Sequence, residues 1–316
     1  MRILFLALLL SLLPPLSAAF AQDANAIFAN ANPFDDSAQA SKGDVKAQLR
    51  LGYRFLTGAN CVMDARRASL HFAAAEAQSR WTSASAWLGF TYATAPALGK
   101  AAEGTMMLED MVRRGDMVAK TLLGRLYQTG TGVPKSPENA RQLFLEAAPR
   151  FALAQTYLAE VYLNAPSPSP ADYSIAHGLL VKAAAAGEPR SMVHLAFFHM
   201  QGFGGQKDFT RAAYWLNRAM ERGDGIAIYQ RGIFYGKGWG GPRSDKMAAA
   251  LFRRSADLGY APAQTALGMC YATGKGVDMD ANQALKWFGM AAPKNEFAAR
   301  QLAALRAKIH QNIKKK

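Results

Sequence analysis

Cysteine is nearly absent: Cys61 and Cys270 are the only two in 316 residues. Two cysteines cannot build a disulfide framework. They sit near opposite ends of the chain, so we expect no bridge between them. No Cys-x-x-Cys is present for zinc or dithiol chemistry. Histidine is scarce too, with His71, His177, His194, His199 and His310. His194 and His199 stand five apart, off the spacing that puts two metal ligands on one helical face. There is no Gly-x-Ser-x-Gly elbow, and no Ser-x-x-Lys opens a plausible catalytic helix. Acidic residues number 23 against 37 Lys and Arg, and most fall where helix caps belong. We therefore expect no catalytic residue, no metal site and no cofactor. β-Branched residues are sparse and alanine is abundant, which favours helix.

Long apolar runs are also missing, with one exception. Ile3 to Leu13 follows Arg2 and precedes Ala19-Phe20-Ala21, a small-x-small cleavage site. This pattern predicts a secretory signal peptide over 1–21 and a mature start at Gln22. The run is short for a membrane span, and no transmembrane span is expected after its removal. No cysteine follows the cleavage region for lipid attachment. The expected location is the periplasm, with secretion as the alternative. Loss of Arg2 takes the net charge from +14 to +13. Such a charge suits an acidic polymer, anionic lipid head groups or an acidic protein, and export argues against nucleic acid.

What the chain does have is a period. Gly43, Gly115, Gly187, Gly223 and Gly259 are separated by 72, 72, 36 and 36 residues. Residues of N-cap type recur at Asp64, Ser136, Asp172, Asp208, Ser244 and Asp280. Ala68, Ala140, Ala176, Ala212, Ala248 and Ala284 keep the same beat. Large residues follow at His71, Met107, Leu143, Leu179, Trp215, Leu251 and Trp287. Four sets of residues on one 36-residue period predict stacked helix pairs. In residues 187–222 the first helix is expected from about Arg190 to Gln201, and the second from Asp208 to about Arg222. Small residues at Gly52, Gly89, Gly124, Ala159, Ala196, Gly232 and Gly268 should let the two helices of each pair approach closely.

The period disposes of a competing motif. "FYGKGWGG", residues 234–241, reads as G-x-G-x-x-G and resembles a dinucleotide fingerprint. Its Gly236 and Gly238 fall at the corner held elsewhere by Gly130 and Gly132, by Gly202 and Gly204, and by Gly274 and Gly276. A dinucleotide fold needs a strand there, and one such site rather than four.

Residues 259–294 carry Gly259, Ala263, Leu267, Gly268, Tyr271, Gly274, Gly276, Val277, Asp280, Ala284, Trp287, Ala291 and Ala292. In that spacing they resemble the Sel1-like repeat, a relative of the tetratricopeptide repeat. The resemblance covers about residues 43–295. It implies an all-α superhelical solenoid of about seven helix pairs. Two copies depart: 79–114 has "TAPALGK" with Lys100 at the cap, and 151–186 has "NAPSPSPAD". Residues 22–42 are expected to be an N-terminal segment or half-repeat cap, and 296–316 a capping helix with a basic tail. Some exported Sel1-like proteins carry a disulfide in each repeat. This chain does not, so their proposed β-lactam chemistry is not transferred.

Stepping 100° per residue along each first helix places Tyr53, Phe90, Arg125, Glu160, Phe197, Ile233 and Met269 opposite the inward stripe. Lys46, Gln128, Arg190 and Tyr229 flank them. The family resemblance implies that this side is concave. The expectation is a monomeric, non-enzymatic scaffold that binds a protein partner there. A secreted effector engaging host proteins is the alternative, and a cell-wall or β-lactam hydrolase is the weaker one.

Overall fold

A computed structural model describes residues 33–78, 83–203 and 205–314. The expected signal peptide and its cleavage site lie outside the described residues. Among the described residues there is no strand. Helix α1 (Pro33–Ser41) precedes seven helix pairs. The first, or A, helices are α2 (Val45–Thr57), α4 (Ala84–Thr94), α6 (Met117–Thr129), α8 (Ala152–Leu163), α10 (Pro189–Gln201), α12 (Gly225–Lys237) and α14 (Ala261–Thr273). Their B partners are α3 (Ala65–Gln78), α5 (Ala101–Arg113), α7 (Pro137–Ala147), α9 (Pro170–Ala185), α11 (Phe209–Glu221), α13 (Asp245–Asp257) and α15 (Ala281–Ala291). Helix α16 (Glu296–Lys314) packs on α15. The chain is an α/α solenoid, and its described residues divide into two compact units, those within 33–56 and 64–191, and those within 57–63 and 192–314.

Each B helix docks a large side chain into the gap left by a small residue on its A helix. In the first unit, a Cβ on Gly52 would lie 2.5 Å from the Phe72 ring, and one on Gly124 would lie 2.7 Å from Phe144. In the second unit the same relation joins Gly232 to Phe252 and Gly268 to Phe288, each at 2.7 Å. The anchors recur at Phe72, Leu108, Phe144, Leu180, Leu216, Phe252 and Phe288, again on the 36-residue beat. The stripe expected from sequence lay one residue earlier. At His71, Met107, Leu143, Leu179 and Trp215 the side chains are only half-buried, whereas Phe72, Leu108, Phe144, Leu180 and Leu216 are buried. Leu251 and Trp287 are themselves buried. The two A helices with alanine at the small position, Ala159 and Ala196, belong to pairs whose anchor is leucine. Gly with Phe, or Ala with Leu, keeps the packed volume similar; the second pair departs, with Gly89 facing Leu108, and there Gly104 approaches Gly89 directly.

The glycine corner also shifts from its expected register. Gly236 lies inside α12, and the corner is Gly238-Trp239-Gly240, with φ of 71° at Gly238 and 67° at Gly240. These left-handed values are open to glycine at little cost. Gly240 also packs so tightly that a Cβ there would collide with the Phe209 carbonyl oxygen. A Cβ on Gly276 would likewise collide with the carbonyl oxygen of Asp245, 36 residues later on both sides. The second corner glycine thus admits the first turn of the preceding B helix. Trp239 stacks on Phe209 with centroids 4.9 Å apart, closing the corner.

Caps mark the helix starts. Ser136, Asp208, Ser244 and Asp280 accept the expected N–H bonds at the B helices. Asp64 does the same for α3 through the Arg67 N–H. In the fourth pair the cap is Ser169 rather than Asp172. Asp172 is its reciprocal partner three residues on, forming a capping box ahead of Pro170. The A helices have their own caps at Asp44, Asp116, Glu188 and Asp224.

Helix α1 docks on α2. The buried Asp36 carboxylate pairs with Arg50 at 2.6 Å and Arg54 at 2.8 Å. Gln48 Nε2 donates to the Ala40 carbonyl at 2.7 Å.

Candidate partner-binding surface

In the first unit, successive A helices approach each other: α4 contacts α6, and α6 contacts α8. They approach more closely than successive B helices do. These A helices together form one face of the first unit.

On that side Arg125 of α6, Glu160 of α8 and Arg190 of α10 come together. Arg125 Nη1 lies 3.3 Å from Glu160 Oε2, and Arg190 Nη1 lies 3.6 Å from Glu160 Oε1. Gln128 Oε1 accepts from Arg125 Nη1 at 2.7 Å. Both guanidiniums sit over the Tyr157 ring, at 5.0 Å for Arg125 and 5.5 Å for Arg190. Glu160 is buried, while the Arg190 side chain is 43% exposed. The Tyr157 ring is buried, and burial pushes its hydroxyl pKa up, so it stays neutral. Tyr157 chiefly, then Glu160 and Glu188, hold the Arg190 pKa above its usual value.

Glu188 anchors the start of α10. Its buried carboxylate accepts the N–H groups of Ser191 and Arg190 and the Thr156 hydroxyl. Burial pushes its pKa up, outweighing the nearby Arg190 charge and those donors.

The two other expected positions in this unit are less open. Tyr53 is buried, edge-on to Trp87 at 5.3 Å. Phe90 is half-buried and meets the same indole edge-on at 6.4 Å. Helical phase places Arg125, Glu160, Gln128 and Arg190 on this face but gives no sign of Tyr157. The α8 sequence, ALAQTYLAEVYL, is apolar on nearly every side, so no face stands out.

In the second unit, Phe197 is 46% exposed and edge-on to Phe203 at 6.0 Å. Tyr229 is half-buried against Phe252 at 5.6 Å and Tyr260 at 5.4 Å. Ile233 and Met269 are half-buried. Met269 packs against the cluster of Ala261, Ala284, Phe288, Ala291 and Ala298.

His71 stacks flat on Phe55 at 5.5 Å, and its Nδ1 lies 2.7 Å from Gln48 Oε1. Burial, then Arg67, lowers its pKa. Cys61 and Cys270 are both thiols, and burial raises the Cys270 pKa. Among the described residues no cluster of three His, Cys, Asp or Glu side chains could hold a metal ion. No helix of the described residues is long and apolar enough to cross a membrane.

The Sel1 repeat family matches residues 45–72, 118–148, 152–188, 189–224, 225–260 and 261–295. The pair formed by α4 and α5, which carries the "TAPALGK" departure, falls outside those matches yet folds like its neighbours. A Sel1 repeat protein from Oxalobacter formigenes is similar at 30% identity and a TM-score of 0.57. The match covers 70% of this chain and 87% of that one. The protein c5321, a protective antigen of uropathogenic Escherichia coli with an SLR fold, is similar at 26% identity and a TM-score of 0.52. That match covers 87% of this chain and 59% of the antigen's. No curated protein matches.

Proposed function

The chain belongs to the Sel1 repeat family, and on that premise we propose that it is a non-enzymatic scaffold of the bacterial envelope that binds a protein partner on its A helices. Sel1 repeats are protein-interaction modules. The observation that carries the reading is the character of the A-helix face. In the first unit it joins half-open arginines to aromatic rings, and in the second it leaves Phe197 half in water. Aromatic and arginine side chains are the usual anchors of protein interfaces. Binding needs no activated group, only burial of apolar surface at about 25 cal/mol per Å² before ordering costs.

The signal-peptide pattern at 1–21 supports export, with the periplasm as the proposed site and the monomer as the proposed state. Likeness to a protective antigen supports the second reading, a secreted protein that meets host molecules. Fractionation of cells and medium separates the two. The scaffold itself is tested by capturing partners from envelope extract with the chain from Gln22 onward. Phe90→Ala and Phe197→Ala should each reduce recovery of the same partner. Equal recovery by both variants and the parent would remove the A-helix surface from the account.

A further inference from the structure

We propose that Arg125 and Arg190, bridged by Glu160 over the Tyr157 ring, form a receiving site for the carboxylate of an acidic side chain in an extended partner segment. The inference rests on the scaffold reading and adds to it the chemistry of the partner.

Two guanidiniums share the Glu160 carboxylate, while the other acid beside Arg190, Glu188, is buried and turned to the Ser191 and Arg190 N–H groups and the Thr156 hydroxyl, so the solvent side presents two guanidiniums to one carboxylate. Donor capacity points the same way. Each guanidinium has five N–H donors and no acceptor. Among the described residues, the Arg190 side chain makes no hydrogen bond within 3.5 Å, because its contact with Glu160 is longer at 3.6 Å. Arg125 directs only Nη1, to Gln128 and Glu160. Yet neither side chain is loose. Both lie over one buried ring, and the backbone under Arg190 is fixed by Glu188. Here two oriented cations keep open donor edges, and three successive A helices supply the parts.

A planar carboxylate fits a guanidinium edge through two parallel N–H···O bonds. A second carboxylate would sit between the guanidiniums, across from Glu160. A phosphate dianion fits less well, because it brings two negative charges beside the Glu160 carboxylate. The Tyr157 ring, buried beneath both guanidiniums, holds them in place and does not itself meet the ligand. The chain's charge of +14 draws acidic segments in, and this site gives one carboxylate a defined seat.

The test uses fluorescence anisotropy with a labelled peptide, Gly-Ser-Ala-Glu-Glu-Phe-Ser-Gly, and a twin with Gln in place of both Glu. The parent chain should bind the Glu peptide at least about tenfold more tightly than the Gln twin, more so in low salt. Arg125→Gln and Arg190→Gln should each weaken binding by about fivefold or more. Glu160→Gln should tighten it, because the resident carboxylate no longer repels the incoming one. A folding defect could not produce that gain. Arg66→Gln with Arg113→Gln removes two charges from B helices and should leave the preference intact. Equal affinity for the two peptides, or a preference that survives Arg125→Gln with Arg190→Gln, would overturn the proposal. If it fails while partner capture still depends on Phe90 and Phe197, only the carboxylate seat is lost. If capture is also independent of those residues, the scaffold reading falls with it.

Discussion

Glycine at position 268 has no side chain, yet it decides how close two helices stand. A Cβ there meets the Phe288 ring at 2.7 Å. Gly268→Ala is therefore expected to destabilise the fold by about 1–3 kcal/mol through overpacking. Phe288→Leu in the same chain should recover part of that loss, because Ala with Leu is the combination found at Ala196 and Leu216. Urea unfolding of both single variants and the double variant measures the coupling. Additive effects would show that the rings and glycines recur together without touching energetically. The small residues were legible in the sequence because they punctuate an otherwise bulky helix. Their partners were assigned one residue early, since the repeat places two large residues side by side on helix B, as in His71-Phe72 and Trp287-Phe288. Periodicity fixes the beat, but it cannot choose between neighbours only 100° apart. Glu188 is a second case. Its buried carboxylate has a pKa raised above 4.5, so the folded state holds its proton to higher pH than the unfolded chain does. The stability this group contributes is present below about pH 4.5 and is lost as pH rises through the folded value. Melting curves from pH 4 to 7 should show Glu188→Gln gaining on the parent as pH rises. A gap that moves the other way would mean its donors outweigh burial.

At the scale of elements, the capping residues explain why the helices start where they do, and why two copies look irregular. The fourth pair reads as shifted because Ser169 takes over the cap and Asp172 reaches back to it. From sequence alone, Asp172 kept the beat and so took the credit. The second pair has Lys100 at the cap position with no side-chain cap bond, and a single 3-10 turn, Pro96–Leu98, replaces the glycine corner. Its pairing survives because Gly89 and Gly104 still meet closely across the helix interface. Helix α1 depends on a different device. Asp36 is fully buried between Arg50 and Arg54, whose side chains are 11% and 12% exposed. Removing that one carboxylate leaves two nearly buried cations without it, a change that typically costs about 3–5 kcal/mol. Asp36→Ala should release α1 from α2. Limited proteolysis should then cut near residues 41–44 while later helices stay protected. Protection equal to the parent's would mean that Ala40 and Gln48 hold α1 without the ion pair.

At the scale of the molecule, a helix pair buries its apolar face only against its neighbours, so the last pair needs a cover. In the second unit α16 supplies it, with Leu302 and Leu305 packed toward Phe288 and Ala291. Ending the chain at Asn295 should expose that face, lowering the melting temperature and promoting association. The repeat class was legible because a 36-residue beat survives loop variation. The surface was legible only in part, since helical phase locates a face but not the depth of a side chain on it. Tyr53 and Phe197 share that phase, yet the first is 8% exposed and the second 46%. The central claim is that partners meet this protein on its A helices. Site-specific photo-crosslinking in living cells tests it most directly, with a benzophenone amino acid placed at Phe90 or Phe197, and at Leu70 or Tyr214 on the B helices. The account predicts discrete adducts from the A positions and none from the B positions. Adducts from Leu70 and Tyr214, with none from Phe90 and Phe197, would contradict it.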